Sequence, residues 1–207
     1  MSEQIPVTDH SGTENDDGTT VHGPLTQSVR ALIDATIRTE AGADKVARAR
    51  DLVEEATWLL SGSLVPGSFG VRQAQDGRRL PWGNAAIGLR NPIAPPLTVR
   101  PGPDGSVWCV ADLGAAYEGP PGCVHGGIAA LVLDQVLSAT AHRPGEPAVT
   151  GTLTVRYLLP LPLGRIRAEA QVQRHEEAKT FATGRITVGG EAAVIADGVF
   201  IRPRPRF

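Results

Sequence analysis

Between Val29 and Leu60 apolar residues return every three or four positions: Val29, Leu32, Ile33 and Ile37, then Val46, Ala49, Leu52, Val53, Ala56 and Leu60. That spacing puts them on one face of an α-helix. Gly42 interrupts the run in the manner of a C-cap, and Asp44 suits the start of a new helix. The pattern therefore predicts two amphipathic helices, about 25–40 and 44–61, the first opened by Pro24. Residues 62–83 have no clear period, and Ala-Gln-Asp-Gly-Arg-Arg at 74–79 reads as a surface turn. From Leu97 the period shortens to two. Leu97–Arg100 and Ser106–Leu113 read as strands joined by the turn Pro-Gly-Pro-Asp-Gly. Gly126–Ala141 is apolar nearly all round, which predicts a buried helix, ended by Arg-Pro-Gly-Glu-Pro. Four more strands follow with short turns. The first alternates Leu153, Val155 and Tyr157; the second alternates Ile166, Ala168, Ala170 and Val172; Lys179–Val188 and Glu191–Arg202 complete the set. Two strands, one apolar helix and four strands predict an α+β fold, an antiparallel sheet packed on a single central helix.

The chain has 207 residues, enough for one substantial domain plus an extension. Residues 1–23 are polar and acidic and are expected to be a disordered tail. Residues 24–84 form a helical extension and linker, and 85–207 the sheet domain. A net charge of −2 suggests no broad attraction to nucleic acid or to an anionic membrane. No apolar run reaches the length of a membrane span, and the first residues lack the basic start and apolar stretch of a secretory signal. A cytoplasmic protein is expected. Cys109 and Cys123 have neither zinc nor framework spacing and read as free thiols. The five histidines are scattered, so no metal site is expected. No Gly-x-Ser-x-Gly elbow, phosphate loop or dinucleotide-binding glycine pattern occurs.

One feature of the apolar helix needs explanation. Asp134 sits among Leu131, Val132, Leu133 and Val136, and the helix is entered through a stiff turn, Tyr-Glu-Gly-Pro-Pro-Gly-Cys-Val-His-Gly-Gly at 117–127. The segment Glu-Gly-Pro-Pro-Gly-Cys-Val-His-Gly-Gly-Ile-Ala-Ala-Leu-Val-Leu-Asp, followed by Thr-Gly-Thr-Leu-Thr-Val-Arg-Tyr-Leu-Leu-Pro-Leu-Pro-Leu-Gly, resembles the phenylacetate-pathway (PaaI-like) and THEM4-like branch of the hotdog-fold acyl-CoA thioesterases. The resemblance covers roughly 85–203. His-Gly-Gly alone is common; with an acid nine positions on and a Thr-x6-Tyr run downstream it is much more specific.

The resemblance implies hydrolysis of acyl-CoA thioesters without metal or other cofactor, by a homodimer or dimer of dimers. Its substrate would be an acyl- or aryl-acyl-CoA. It makes the Gly126 N–H the donor to the developing oxyanion, at a helix start where amides are unpaired and the dipole is positive. Asp134 becomes the general base or nucleophile, Thr150 the hydroxyl that holds the acid or the attacking water, and His125 a group near the thioester or a brace for the turn. Gly127, Gly122, Val124 and Tyr157 are the expected substrate-binding positions. Some members carry Asn or Gln six positions before the His; here that position is Gly119. Eight residues of helix separate Gly126 from Asp134, about 12 Å at 1.5 Å per residue. One thioester carbon cannot touch both, so two antiparallel copies of the helix across a two-fold axis would be needed. Arg156, Arg165, Arg167 and Lys179 are candidates for the CoA phosphates. Two other functions compete: a non-catalytic acyl-CoA-binding or sensing protein, and a hotdog enoyl-CoA hydratase, whose Asp-His pattern is not seen here.

Overall fold

The computed structural model describes residues 18–74, 77, 79–102, 104–142 and 147–203. Most of the expected tail, and Arg-Pro-Gly-Glu of the segment expected to end the apolar helix, lie outside the described residues. The first helix, α1 (Thr19–Arg38), starts well before Pro24, which lies in its second turn. The helix is drawn back by packing that the pattern does not carry: His22 lies against Trp82, with ring centroids 5.9 Å apart. The second helix, α2 (Ala43–Ser61), has Gly42 as its N-cap and Asp44 in its first turn, where a carboxylate suits the dipole. Gly42 therefore starts α2 rather than ending α1, which Thr39 terminates by turning extended.

The two helices differ in how they meet the rest of the chain. α1 buries Thr26 and is tied down by Arg30, whose guanidinium donates to Ala94 O at 3.0 Å, Asn91 O at 3.3 Å and Pro92 O at 3.3 Å. α2 has no buried residue. The unpatterned stretch after it holds a small antiparallel hairpin, β1 (Arg72–Gln73) with β2 (Arg79–Leu80).

The remaining elements are β3 (Thr98–Pro101), β4 (Val107–Leu113), α3 (Gly126–Ala141), β5 (Val149–Tyr157), β6 (Gly164–Glu176), β7 (Lys179–Val188) and β8 (Glu191–Ile201). They form the antiparallel sheet that the alternation predicts, and its strand order is β3-β4-β6-β7-β8-β5. Alternate residues face α3: Cys109 and Leu113 from β4, Ile166 and Ala168 from β6, Ile186 from β7, Val194 and Phe200 from β8. α3 meets them with Ala129, Val132, Leu133, Val136, Leu137 and Ala141. The helix is not buried all round, however. Ile128, Leu131, Asp134, Gln135 and Ser138 are only part-buried and form an open face. Among the described residues the sheet is also open at β5, which pairs with β8 alone.

Candidate active site

The turn before α3 is braced from several sides. The Glu118 carboxylate accepts from Gly122 N–H at 2.7 Å, and Gly122 O accepts from Leu163 N–H at 3.0 Å. Gly122 has φ +73, a left-handed conformation that favours glycine. Val124 N–H donates to Leu161 O and His125 N–H to Tyr117 O, both at 2.8 Å. Tyr117 is itself anchored, its buried hydroxyl donating to Ala94 O at 3.1 Å. Burial pushes the Tyr117 phenol above its ordinary pKa, with the Arg30 charge acting in the opposite direction. Of the expected substrate-binding positions, Val124 is buried in the core beneath the turn, whereas Gly122, Gly127 and Tyr157 reach the surface. Gly119 stands against His125: a Cβ there would come within 2.7 Å of His125 Cα. A side-chain amide at this position would thus require the turn to move.

His125 is the N-cap of α3, and its Nδ1 accepts from Gly127 N–H at 3.0 Å. With Nδ1 as the acceptor, a ring proton in this arrangement sits on Nε2. The His125 carbonyl accepts from Ile128 N–H at 2.9 Å and Ala129 N–H at 3.2 Å. Among the described residues no acceptor meets the Gly126 N–H, so one unpaired amide remains at the helix start. A side chain at Gly126 would meet the Tyr157 ring at 3.2–3.3 Å.

The acid lies two turns further along. Thr150 Oγ1 donates to Asp134 Oδ1 at 2.8 Å. Simple alternation would turn Thr150 away from α3, because Leu153 and Val155 face it. The register of β5 against β8 shifts between Thr150 and Thr152, a bulge at Gly151 that rotates Thr150 inward. A Cβ on Gly151 would come within 2.6 Å of Ile201. Sequence reasoning did not single out Gly151 or Glu118. A glycine inside an alternating run is the signal for the first; nothing in the pattern marks the second.

The arginines are more dispersed. Arg156 pairs with Asp197 at 3.2 Å. Arg165 and Arg167 lie on the sheet face away from α3, Arg167 over the Trp108 ring at 4.6 Å. A hollow of 440 Å³ on that face is lined by Trp108, Arg167, Glu169 and Arg185, well apart from Asp134 in the sheet topology. Both cysteines are free, and Cys109 is fully buried. Among the described residues no three His, Cys, Asp or Glu side chains gather as a metal site, and no helix is long and apolar enough to cross a membrane.

A single antiparallel sheet wrapped on one central helix is the hotdog fold. Residues 121–194 match the Thioesterase superfamily, and the sheet and central helix of the second half of the chain form a hotdog fold. The acyl-coenzyme A thioesterase THEM4 of Xenopus laevis is 35% identical over 79 residues, 38% of this chain and 36% of that protein. The acyl-coenzyme A thioesterase THEM5 of Mus musculus is 32% identical over 74 residues, 35% of this chain and 30% of that protein. The chain thus spans about a third of the length of these curated relatives. A solved structure, the thioesterase superfamily protein RHA08564, aligns over 87% of this chain and 95% of its own with a TM-score of 0.78 and 27% identity. That alignment reaches beyond the hotdog domain into the N-terminal extension.

Proposed function

We propose that this chain is an acyl-CoA thioesterase, acting in the cytoplasm as a homodimer or dimer of dimers whose active sites are shared between subunits. The observation that carries the reading is the pairing of a carboxylate held by Thr150 with one unpaired amide at Gly126 on the same helix. These are the two parts thioester hydrolysis needs, and they stand too far apart to serve one substrate in one subunit. The open face of α3 and the unpaired edge of β5 offer the surface on which a second copy packs antiparallel. The Gly126 of one subunit then faces the Asp134 of the other.

In this site the thioester carbonyl oxygen lies against the Gly126 N–H. With Oδ1 engaged by Thr150, the remaining oxygen of Asp134 takes a proton from water as the water attacks the carbonyl carbon. The tetrahedral oxyanion is held by the Gly126 amide and the helix dipole. Collapse breaks the C–S bond, and the thiolate of coenzyme A leaves with the proton returned by Asp134. The products are a free acid and a thiol. His125 Nε2–H supplies a further donor at the mouth of the site.

The test is thiol release from a panel of aryl and straight-chain acyl-CoAs by wild type and Asp134→Asn. Loss of the base lowers kcat by about 10²–10⁴. No release from any substrate by wild type, with tight acyl-CoA binding in both proteins, would replace this reading with a binding or sensing role.

A further inference from the structure

β5 touches α3 at both functional points. Its first turn inward, Thr150, holds Asp134; its last residue, Tyr157, donates its hydroxyl to Gly126 O at 2.8 Å. The strand runs antiparallel to the helix, so one edge strand clasps the acid and the amide together. The Tyr157 contact has a specific consequence. The peptide joining Gly126 to Gly127 is gripped at both ends, its carbonyl by Tyr157 and its N–H by His125 Nδ1. The preceding peptide carries the free Gly126 N–H, and its own carbonyl accepts from Ile128 and Ala129. Two successive peptides of a diglycine, otherwise the most pliable stretch of the helix, are thereby fixed in every direction except that of the free amide.

We propose that Tyr157 is a positioning residue, which aims the Gly126 amide by clamping the Gly126–Gly127 peptide from the edge strand. This assignment rests on the thioesterase reading for its catalytic consequence, though not for the clamp itself. It departs from the expectation that Tyr157 binds substrate. The ring is about half exposed, at 55%, yet the hydroxyl is committed to the protein. The spacing fits the task. Thr150 and Tyr157 would lie on opposite sides of a regular strand, seven positions apart, and only the bulge at Gly151 brings both to α3.

Tyr157→Phe keeps the ring over Gly126 and removes the hydroxyl. Its kcat for thiol release should fall about fivefold to tenfold, the worth of one ordinary hydrogen bond, with KM within twofold of wild type. In the same variant, amide hydrogen exchange at Gly127 should quicken while Val136 and Leu137 keep their wild-type protection. A rise in KM at constant kcat would overturn the proposal in favour of substrate binding. A kcat loss without faster Gly127 exchange would overturn it too, since the hydroxyl would then act on the substrate. Should wild type release no thiol at all, the thioesterase reading fails, and Gly127 exchange alone decides the clamp: faster exchange upholds it and unchanged exchange refutes it.

Discussion

α2 and α3 are helices of similar length with opposite relations to the fold. α2 carries a clean apolar stripe of Val46, Leu52, Val53 and Leu60, yet buries nothing. α3 is apolar nearly all round, yet it leaves one face open, and that face carries Asp134. An amphipathic pattern states that a face requires cover; it does not state which surface provides it. The all-apolar pattern misleads in the other direction. It predicts burial on every side, where one chain supplies a sheet for only one. The open face of α3 carries Ile128 and Leu131 beside an acid that burial alone would not favour.

The sharpest way to probe this difference is to truncate one leucine in each helix. Leu133 is fully buried between α3 and the sheet. Leu133→Ala removes its contacts and leaves a cavity, so urea unfolding should show a loss of about 2–5 kcal/mol. A loss below about 1 kcal/mol would mean that the α3 core collapses around the gap, and that the helix is less firmly seated than its burial indicates.

The sheet was legible because burial on one side of a strand forces a period of two. β4 shows it directly, with Val107, Cys109, Ala111 and Leu113 buried and Asp112 exposed. The acid and the glycine turn were legible because polar and conformationally special residues stand out in an apolar helix. Three things were not. The inward rotation of Thr150 depends on a bulge, which is a property of register between two strands rather than of either alone. The early start of α1 depends on Trp82, sixty residues downstream of His22. The bond from Tyr157 to the Gly126 carbonyl joins residues 31 positions apart, and no local pattern encodes it.

A second test of the domain core uses its titration. Burial pushes the Cys109 thiol up to about 11 from an ordinary 9.0, against smaller opposing effects of an Ala168 backbone hydrogen bond and the Arg167 charge. The folded state therefore holds this proton more tightly than the unfolded chain does. The resulting stability is present in full below pH 9 and is lost as pH rises through about 11. Its size is on the order of 2–3 kcal/mol, from about 1.4 kcal/mol per unit. Unfolding free energy measured between pH 8 and 11 should fall more steeply for wild type than for Cys109→Ala. Equal slopes would show that the thiol titrates as an exposed one. The N-terminal helices, which hold no cysteine, contribute nothing to this difference.

The smallest expected effect tests the other helix. Leu52 is 49% exposed on α2, and truncating it removes little buried surface. Leu52→Ala should change stability by no more than about 0.5 kcal/mol at low protein concentration. The measurement is worth repeating at high concentration, because the stripe formed with Val46, Val53 and Leu60 is left uncovered by the described residues. If the cost stays near zero at every concentration, α2 stands in solvent and its stripe serves no contact in the isolated protein. If the cost grows as the protein is concentrated, mass action identifies the cover as a second copy. Deletion of residues 1–61 should then change oligomer size and, on the proposed shared-site reading, acyl-chain preference with it.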